Sequence, residues 1–327
     1  MRKFILAGII FIWGLQAAAQ YPPAAGQPGS TAIHTDSSCF VAWATHCIVN
    51  RGYVNLSDTN ITAGGSNRAS YGIPADAVGK ANNSVVSLGD KGVAILTFEF
   101  PLVNGPGWDF AVFENGLNDL FLELAFVEVS SNGIDFFRFP SVSLTQTDMQ
   151  TASFGETDPT KINNLAGKYR VMYGTPFDLD ELDNDPLLDK NHITHVKIID
   201  VGGSVNPLYA SWDYPGNIIN DPFPTPFESC GFDMDAIGVI NNTQTFLQSN
   251  EKGKTHVYPN PASETICLPM QDIENEAIQM YNTFGQLVSV GSLRSNCLDI
   301  THLPQGIYFL RIEKKDGVIY TSVFEKL

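Results

Sequence analysis

Carboxylate side chains at alternate positions of a predicted strand are the first candidates for chemistry in this sequence. Asp233 and Asp235 stand at the start of an apolar stretch that ends at Ile240. In an extended strand, alternate side chains lie on one face, so these two carboxylates point the same way. Two like charges this close repel each other unless a cation or hydrogen-bond donors neutralise them. The spacing favours a bound cation, and the alternative is a pair of solvated residues at a strand edge.

A second set of oxygen-bearing side chains flanks the apolar segment 110–113. Asp109 precedes this segment and Glu114 follows it, with Asn115 and Glu123 shortly after. Carboxylates and loop carbonyls at such spacing can meet around Ca2+, which accepts six to eight oxygens in flexible geometry. The sequence therefore predicts a structural calcium site. Its candidate ligands are Asp109, Glu114, Asn115, Glu123, Asp233 and Asp235.

Aromatic residues offer a second kind of site, one that binds a ligand without reacting with it. Trp212 and Tyr214 lie in a stretch rich in Pro, Gly, Asn and Asp, which is typical of a long loop. An exposed ring covers the CH groups of a sugar or another flat ligand, while amides and carboxylates bind its hydroxyls. The alternative is that these rings only anchor the loop. The candidate ligand-binding residues are Trp212, Asp213, Tyr214, Asn217, Asn220 and Asp221.

Local signatures of catalysis are largely missing from the sequence. His192 and His195 stand three apart at the start of a predicted strand, where they point to opposite faces and cannot form a helical zinc pair. The acidic segment 178–189 does not fit an EF-hand, because Asp183 stands where glycine is required. We expect a non-catalytic protein. A glycan hydrolase is an alternative, because its two acids converge in space and leave no local signature.

The elements that must position these residues are predicted to be strands. Segments 93–100, 122–130 and 195–201 are rich in apolar and β-branched residues and are separated by Gly, Asn, Asp and Pro. Segments 122–130 and 136–139 enclose an Asn-Gly turn, which predicts a β-hairpin. Many short strands with little helical periodicity predict an all-β protein. Residues 21–243 are expected to form a jelly-roll-like β-sandwich.

Three further segments complete the predicted organisation. Residues 1–20 combine a basic start, a short apolar run and small residues, which is typical of a secretory signal peptide and too short to span a membrane. Residues 244–256 are polar and are predicted to be a linker. Residues 257–327 contain more strand-like stretches and are long enough for a small C-terminal β-sandwich. No transmembrane segment is predicted in the mature chain.

Composition and charge exclude several classes of protein. Of the 327 residues 43% are hydrophobic and 17% charged, as in globular proteins and unlike disordered or fibrous ones. The formal net charge of −16 repels phosphate backbones and anionic lipid surfaces, so nucleic acid is not an expected partner.

Five cysteines in an exported chain indicate disulfides and one unpaired residue. Cys39 and Cys47 are close enough in sequence to close a small loop. Cys267 and Cys297 both fall in the predicted C-terminal unit. Cys230 then remains unpaired.

The C-terminal unit resembles a known family of export signals. Its three ordered blocks are 257–264 (VYPNPASE), 281–288 (YNTFGQLV) and 303–312 (LPQGIYFLRI). Together they are similar to the type A C-terminal sorting domain of the type IX secretion system. The resemblance implies interaction with that secretion machinery and release from the cell or attachment to the outer surface of the outer membrane. The alternative is a stabilising β-sandwich without a secretory role.

The body carries a looser resemblance, located at segments 107–116, 123–130 and 231–240. These segments are similar to a group of bacterial cell-surface proteins and, more distantly, to calcium-containing jelly-roll modules like galactose-binding domains. Neither resemblance implies a defined activity. We expect a calcium-stabilised surface protein for binding or adhesion. The alternative is capture of a glycan fragment or corrinoid-like ligand for an outer-membrane transporter.

Overall fold

A computed structural model describes residues 21–243, 256–269, 277–283, 286–292, 296–313 and 319–327. The chain divides into two compact units, Met1–Asn242 and Thr243–Leu327. The predicted signal peptide, 1–20, and all but the last residue of the predicted linker, 244–256, lie outside the described residues. Each unit is considered by itself.

The N-terminal unit consists of short strands joined by turns and by 3-10 helices. Its strands are β1 (Ile33–His34), β2 (Ala42–Trp43), β3 (His46–Asn50), β4 (Val86–Ser87), β5 (Val93–Leu102), β6 (Phe110–Glu114), β7 (Ala125–Ser130), β8 (Phe137–Arg138), β9 (Val142–Ser143), β10 (Ile162–Asn163), β11 (Tyr173–Phe177), β12 (Ile193–Asp200) and β13 (Asp233–Val239). The 3-10 helices are Pro74–Ala77, Pro159–Lys161 and Leu179–Glu181.

Two antiparallel sheets build this unit. The first has the order β1-β11-β6-β13-β2, with β4 also paired to β13, and the second has the order β3-β5-β12-β7-β8. A separate two-stranded sheet joins β9 and β10. Apart from the β7–β8 hairpin, most neighbouring strands in the two large sheets are not consecutive along the chain, as in a jelly-roll-like sandwich.

One hydrophobic core fills the space between the two sheets. Leu96 on β5 and Val196 on β12 are fully buried and belong to the same cluster as Phe110 on β6 and Ile237 on β13. Alternate residues along β5 face this core, which is the period expected of a strand with one buried face. The shared core shows that the two sheets pack face to face, so the predicted β-sandwich is confirmed.

The hairpin predicted from the Asn-Gly turn is also confirmed. Strands β7 and β8 pair antiparallel, with Glu128 opposite Arg138 and Val129 opposite Phe137. The side chain of Asn132 accepts hydrogen bonds from the backbone N–H groups of Ile134 and Asp135 and so holds the turn.

The C-terminal unit is a second, smaller all-β structure. Its strands are β14 (Thr265–Cys267), β15 (Ala277–Asn282), β16 (Leu287–Ser292), β17 (Cys297–Asp299), β18 (Gly306–Glu313) and β19 (Ile319–Lys326). One sheet has the order β16-β15-β18-β19 and the other pairs β14 with β17. Ile266, Ile278, Leu310 and Phe324 share one buried cluster, as expected of a small β-sandwich.

The pairing of the cysteines differs in part from the prediction. Cys267 and Cys297 are partners in the β14–β17 register and form a disulfide. The predicted Cys39–Cys47 bond is wrong, because both thiols are free. Cys47 on β3 is buried in the main core, whereas Cys39 lies in a turn where the Ser37 hydroxyl donates to its Sγ. Cys230 is free and buried, as predicted.

Candidate functional site

Buried carboxyl groups gather at one end of the N-terminal sandwich. Glu114 ends β6 beside the start of β13, where Met234 is its register partner. Asp200 ends β12 opposite Ala125, the first residue of β7. Because antiparallel registers place these strand ends together, acids from separate segments meet there. The buried acids of this end are Asp90, Glu114, Glu123, Asp200, Asp221 and Asp233.

Glu114, Asn115 and Asp233 form the tightest part of this group. One terminal atom of the Asn115 amide lies 3.0 Å from Glu114 Oε1 and 3.2 Å from Asp233 Oδ2. With nitrogen in that position the amide donates to both carboxylates, and with oxygen there the three oxygens converge. The Gly116 N–H donates to Glu114 Oε2 at 2.6 Å, and the Ser87 hydroxyl donates to Asp233 Oδ1. Nitrogen in that position satisfies both neighbours, so the Asn115 amide donates to both acids.

A cavity of about 420 Å³ opens above these acids. Glu123 and Asp233 line it, and each is only 6% exposed. Within the part of the chain that the structure describes, no hydrogen-bond donor contacts the Glu123 carboxylate. An acid that is buried and without a donor is costly to keep ionised. Glu123 is therefore the group in the cavity most in need of an outside partner.

Aromatic rings form the other side of the cavity. The ring centroids of Phe121 and Phe154 lie 6.0 Å apart, and those of Phe154 and Phe227 lie 5.4 Å apart. Phe121 is buried, whereas Phe154 and Phe227 are 68% and 39% exposed, so the row leads from the interior to solvent. The remaining lining residues are Tyr71, Asn115, Leu117, Ser153, Thr225 and Ser229. The cavity thus joins an apolar wall to an acidic base.

Burial and mutual repulsion raise the pKa values of these acids. Burial raises the pKa of Asp233 to about 7, although hydrogen bonds from Ser87 and Asn115 oppose the shift. Burial, followed by the charges of Glu114 and Asp233, holds the pKa of Glu123 well above its usual range. Burial and then the Asp233 charge do the same to the pKa of Glu114. Without a cation, this end of the sandwich binds protons near neutral pH.

A second layer of acids lies behind Glu123. Asp221 is 3% exposed, and its Oδ2 accepts from the Leu124 N–H while its Oδ1 has no hydrogen-bond partner. Asp200 accepts from the backbone N–H groups of Lys91, Gly202 and Phe232, and burial raises its pKa to about 6. Burial and the Asp200 charge raise the pKa of Asp90 to about 8. Sequence analysis missed Asp90, which lies in the turn between β4 and β5 next to Gly89, and Asp200, which ends β12 two residues before Gly202.

Of the six predicted calcium ligands, Asn115, Glu123 and Asp233 line the cavity, Glu114 contacts Asn115, and the other two lie elsewhere. Asp109 lies at the opposite end of β6, where it accepts from the N–H groups of Gly105 and Leu179 and from the Asn241 amide. Asp235 accepts from the backbone N–H groups of Asn82 and Asn83. Among the described residues, no three His, Cys, Asp or Glu side chains meet in a metal-binding arrangement. The calcium site stays a prediction.

The predicted aromatic loop lies apart from the cavity lining. Trp212 and Tyr214 are 48% and 76% exposed, and Trp212 bridges to Ile218 across a turn. Asp213 is buried and accepts from the backbone N–H groups of Ser143 and Asn217. The remaining members, Asn220 and Asp221, are buried, and Asn220 donates to the carbonyls of Gln146 and Met149. Ligand binding at this loop stays a prediction.

Comparison with known proteins identifies the C-terminal unit. Residues 256–324 match the family of secretion system C-terminal sorting domains. The chain thus carries a type IX secretion sorting domain, and the resemblance seen in its sequence is confirmed. The protein is secreted or attached to the cell surface, and the domain implies interaction with the type IX secretion machinery. No helix in the described residues is long and apolar enough to cross a membrane.

Solved structures give only weak similarity. PorZ, a surface component of the type IX secretion system of Porphyromonas gingivalis, shares 13% identity over 28% of this chain and 14% of its own, with a TM-score of 0.20. Two β-glucuronidase complexes from Ruminococcus gnavus share 10% identity over 86% and 93% of this chain and 45% and 47% of theirs, with TM-scores of 0.19 and 0.20. The chain spans less than half the length of each. Scores this low carry no argument about function. A search of curated proteins gives no match.

Proposed function

We propose that this exported protein is a non-catalytic surface binding protein that holds a small ligand in the cavity above Glu123 and Asp233. The observation that carries the proposal is the cavity itself, about 420 Å³ in volume, with an aromatic wall and a buried carboxylate that lacks a donor. This volume lies in the range of small-molecule sites. Attachment to another protein would instead require a broad surface.

Capture of a nutrient for an outer-membrane transporter is one use of such a cavity. The sorting domain supports this use, because it carries the binding unit to the cell surface. Adhesion is the other use, and it would depend on exposed surface residues rather than on Phe154 or Glu123. The two uses therefore predict different effects of substitutions in the cavity.

We also propose calcium at the base of the cavity. Glu114, Asn115 and Asp233 would hold the ion, because turning the Asn115 amide would place its oxygen 3.0 Å from Glu114 Oε1 and 3.2 Å from Asp233 Oδ2. Oxygens bound to Ca2+ at roughly 2.4 Å lie about this far from each other. The ion would neutralise buried charge and fix the strand ends, and its remaining positions would bind water or ligand oxygens.

A glycan hydrolase is the second candidate function. Glu123 and Asp233 share one cavity, and burial raises the pKa of both, which suits the role of a general acid. Turnover of a glycan panel that is lost in Glu123→Gln but kept in Glu99→Gln would establish this function. Glu99 is the matched control because it is exposed and lies outside the cavity lining.

Native mass spectrometry of the full-length protein, in calcium and then in chelator, tests the binding function. We expect a retained organic mass that is lost in Phe154→Ala and kept in Trp212→Ala. A calcium-sized mass that disappears in chelator would support the metal. A bare protein in both conditions would favour adhesion and contradict the proposed cavity function.

A further inference from the structure

We propose that the cavity selects an organic cation, with an ammonium group against Glu123 and an apolar body along the phenylalanine row. This inference rests on the proposed binding function and specifies the ligand class. Two independent features of the cavity lead to it. One is the pair of buried acids that line it, Glu123 and Asp233, which an adjacent cation would hold ionised, and the other is its aromatic wall.

The charge of the cavity favours a cation. Glu123 and Asp233 line it, and none of its eleven described lining residues is Lys, Arg or His. The nearby Arg51 guanidinium donates to the backbone carbonyls of Tyr71, Gly72 and Ser87. Glu123 is more than nine-tenths buried, faces the cavity and has no donor among the described residues. An ammonium group supplies both the missing donor and the missing positive charge.

The wall of the cavity favours an apolar body on that cation. Phe121, Phe154 and Phe227 form a continuous row, with Tyr71 and Leu117 also at the cavity. Aromatic faces attract ammonium groups and bury apolar carbon at the same time. Tyr71 and Phe154 are 53% and 68% exposed, so a ligand can reach them from solvent. An arylalkyl ammonium ion matches both halves of the cavity.

Other ligand classes fit less well. An anion would meet two buried carboxyl groups, while the nearby Arg51 guanidinium donates to backbone carbonyls and does not line the cavity. A neutral sugar could donate hydroxyls to Glu123 but supplies no positive charge to hold that buried carboxyl group ionised. A calcium ion held by Glu114, Asn115 and Asp233 would still leave Glu123 facing the cavity. The ammonium ligand is therefore compatible with the calcium proposal.

Isothermal titration of the full-length protein with 2-phenylethylammonium tests this inference, and 2-phenylethanol is the neutral control with the same body. We expect the ammonium ion to bind at least ten-fold more tightly, since a partly buried ammonium–carboxylate contact is a strong hydrogen bond. In Glu123→Gln this preference should fall to within about two-fold. In Glu99→Gln it should be unchanged, and Phe154→Ala should weaken both compounds.

Equal affinity for the two compounds, or a preference that survives in Glu123→Gln, would overturn the inference about charge. If neither compound binds but the native protein retains another organic mass that depends on Phe154, the ligand class is wrong and the binding function stands. If neither compound binds and no such mass is retained, both proposals fail. Circular dichroism of each variant confirms that the fold is kept.

Discussion

Replacing Asp109 tests whether its carboxylate has a structural role or is a metal ligand. Its side chain is fully buried and accepts three hydrogen bonds, from the Gly105 N–H at 2.8 Å, the Leu179 N–H at 2.8 Å and the Asn241 amide at 2.9 Å. In Asp109→Ala the buried Leu179 N–H loses its partner, while water can reach the half-exposed Gly105 and Asn241. We therefore expect the variant to fold with lower stability than the native protein.

The size of this loss follows from those contacts. A buried unsatisfied donor costs roughly 1–3 kcal/mol, and the two partly exposed donors add less. Burial raises the pKa of Asp109, so removing the carboxylate recovers part of its desolvation cost. We expect Asp109→Ala to lower the free energy of unfolding by about 2–4 kcal/mol, and Asp109→Asn by about half as much, because one acceptor oxygen remains.

Urea unfolding followed by tryptophan fluorescence measures this loss in the N-terminal unit, because residues 243–327 contain no tryptophan. Asp148→Asn is the control, since Asp148 is exposed and should change stability by less than about 0.5 kcal/mol. The loss in Asp109→Ala should be equal in calcium and in chelator. If chelator instead destabilises the native protein by the same amount and leaves Asp109→Ala unaffected, Asp109 is a metal ligand and the structural reasoning is refuted.

Three further predictions concern pH, the disulfide and the backbone behind Glu123. The folded-state pKa values of Asp90 and Asp233, about 8 and about 7, exceed their unfolded values, so in chelator the melting temperature should fall as pH rises from about 4 to about 8; a rise over that range would contradict the burial of these acids. Cys267→Ser opens a loop of 30 residues and should destabilise the C-terminal unit by roughly 3–4 kcal/mol, measured by calorimetry. Gly167 has φ +80°, and a Cβ there would lie 1.8 Å from the Glu123 carbonyl oxygen. Gly167→Ala should therefore lower the free energy of unfolding in urea by over about 2 kcal/mol and weaken the binding of 2-phenylethylammonium. Unchanged binding would show that the position of Glu123 does not depend on this contact.

The fold was more predictable from sequence than the site. Alternating apolar residues and an Asn-Gly turn are local signals, so the hairpin of β7 and β8 and the strand β5 could be recognised without knowing their partners. The state of the cysteines in the N-terminal unit could not be recognised in this way. Short separation suggested a bond between Cys39 and Cys47, but burial of the Cys47 side chain in the core is decided by strand register.

The cavity depends on contacts that leave no local pattern. Glu114 and Asp233 meet because β6 pairs with β13, strands that are more than a hundred residues apart in sequence. Phe154 enters the wall from an irregular segment between β9 and β10 that carries no strand or helix signal. Asp200 could have been found as an acid at a strand end followed by two glycines. Its proximity to Asp221 could not be predicted, because it depends on the path of the loop that follows β12.

The same arrangement explains why a ligand is expected at this end of the sandwich. The core between the sheets is apolar and filled, so it stabilises the fold without help from the acidic end. At that end, burial raises the pKa values of six carboxyl groups. Asp221 Oδ1 has no hydrogen-bond partner, and no donor among the described residues contacts the Glu123 carboxylate that faces the cavity. Protonation can remove the charges but does not supply those missing donors. A cation in the cavity can balance the charge of Glu123, and an ammonium group also supplies the donor that its carboxylate lacks.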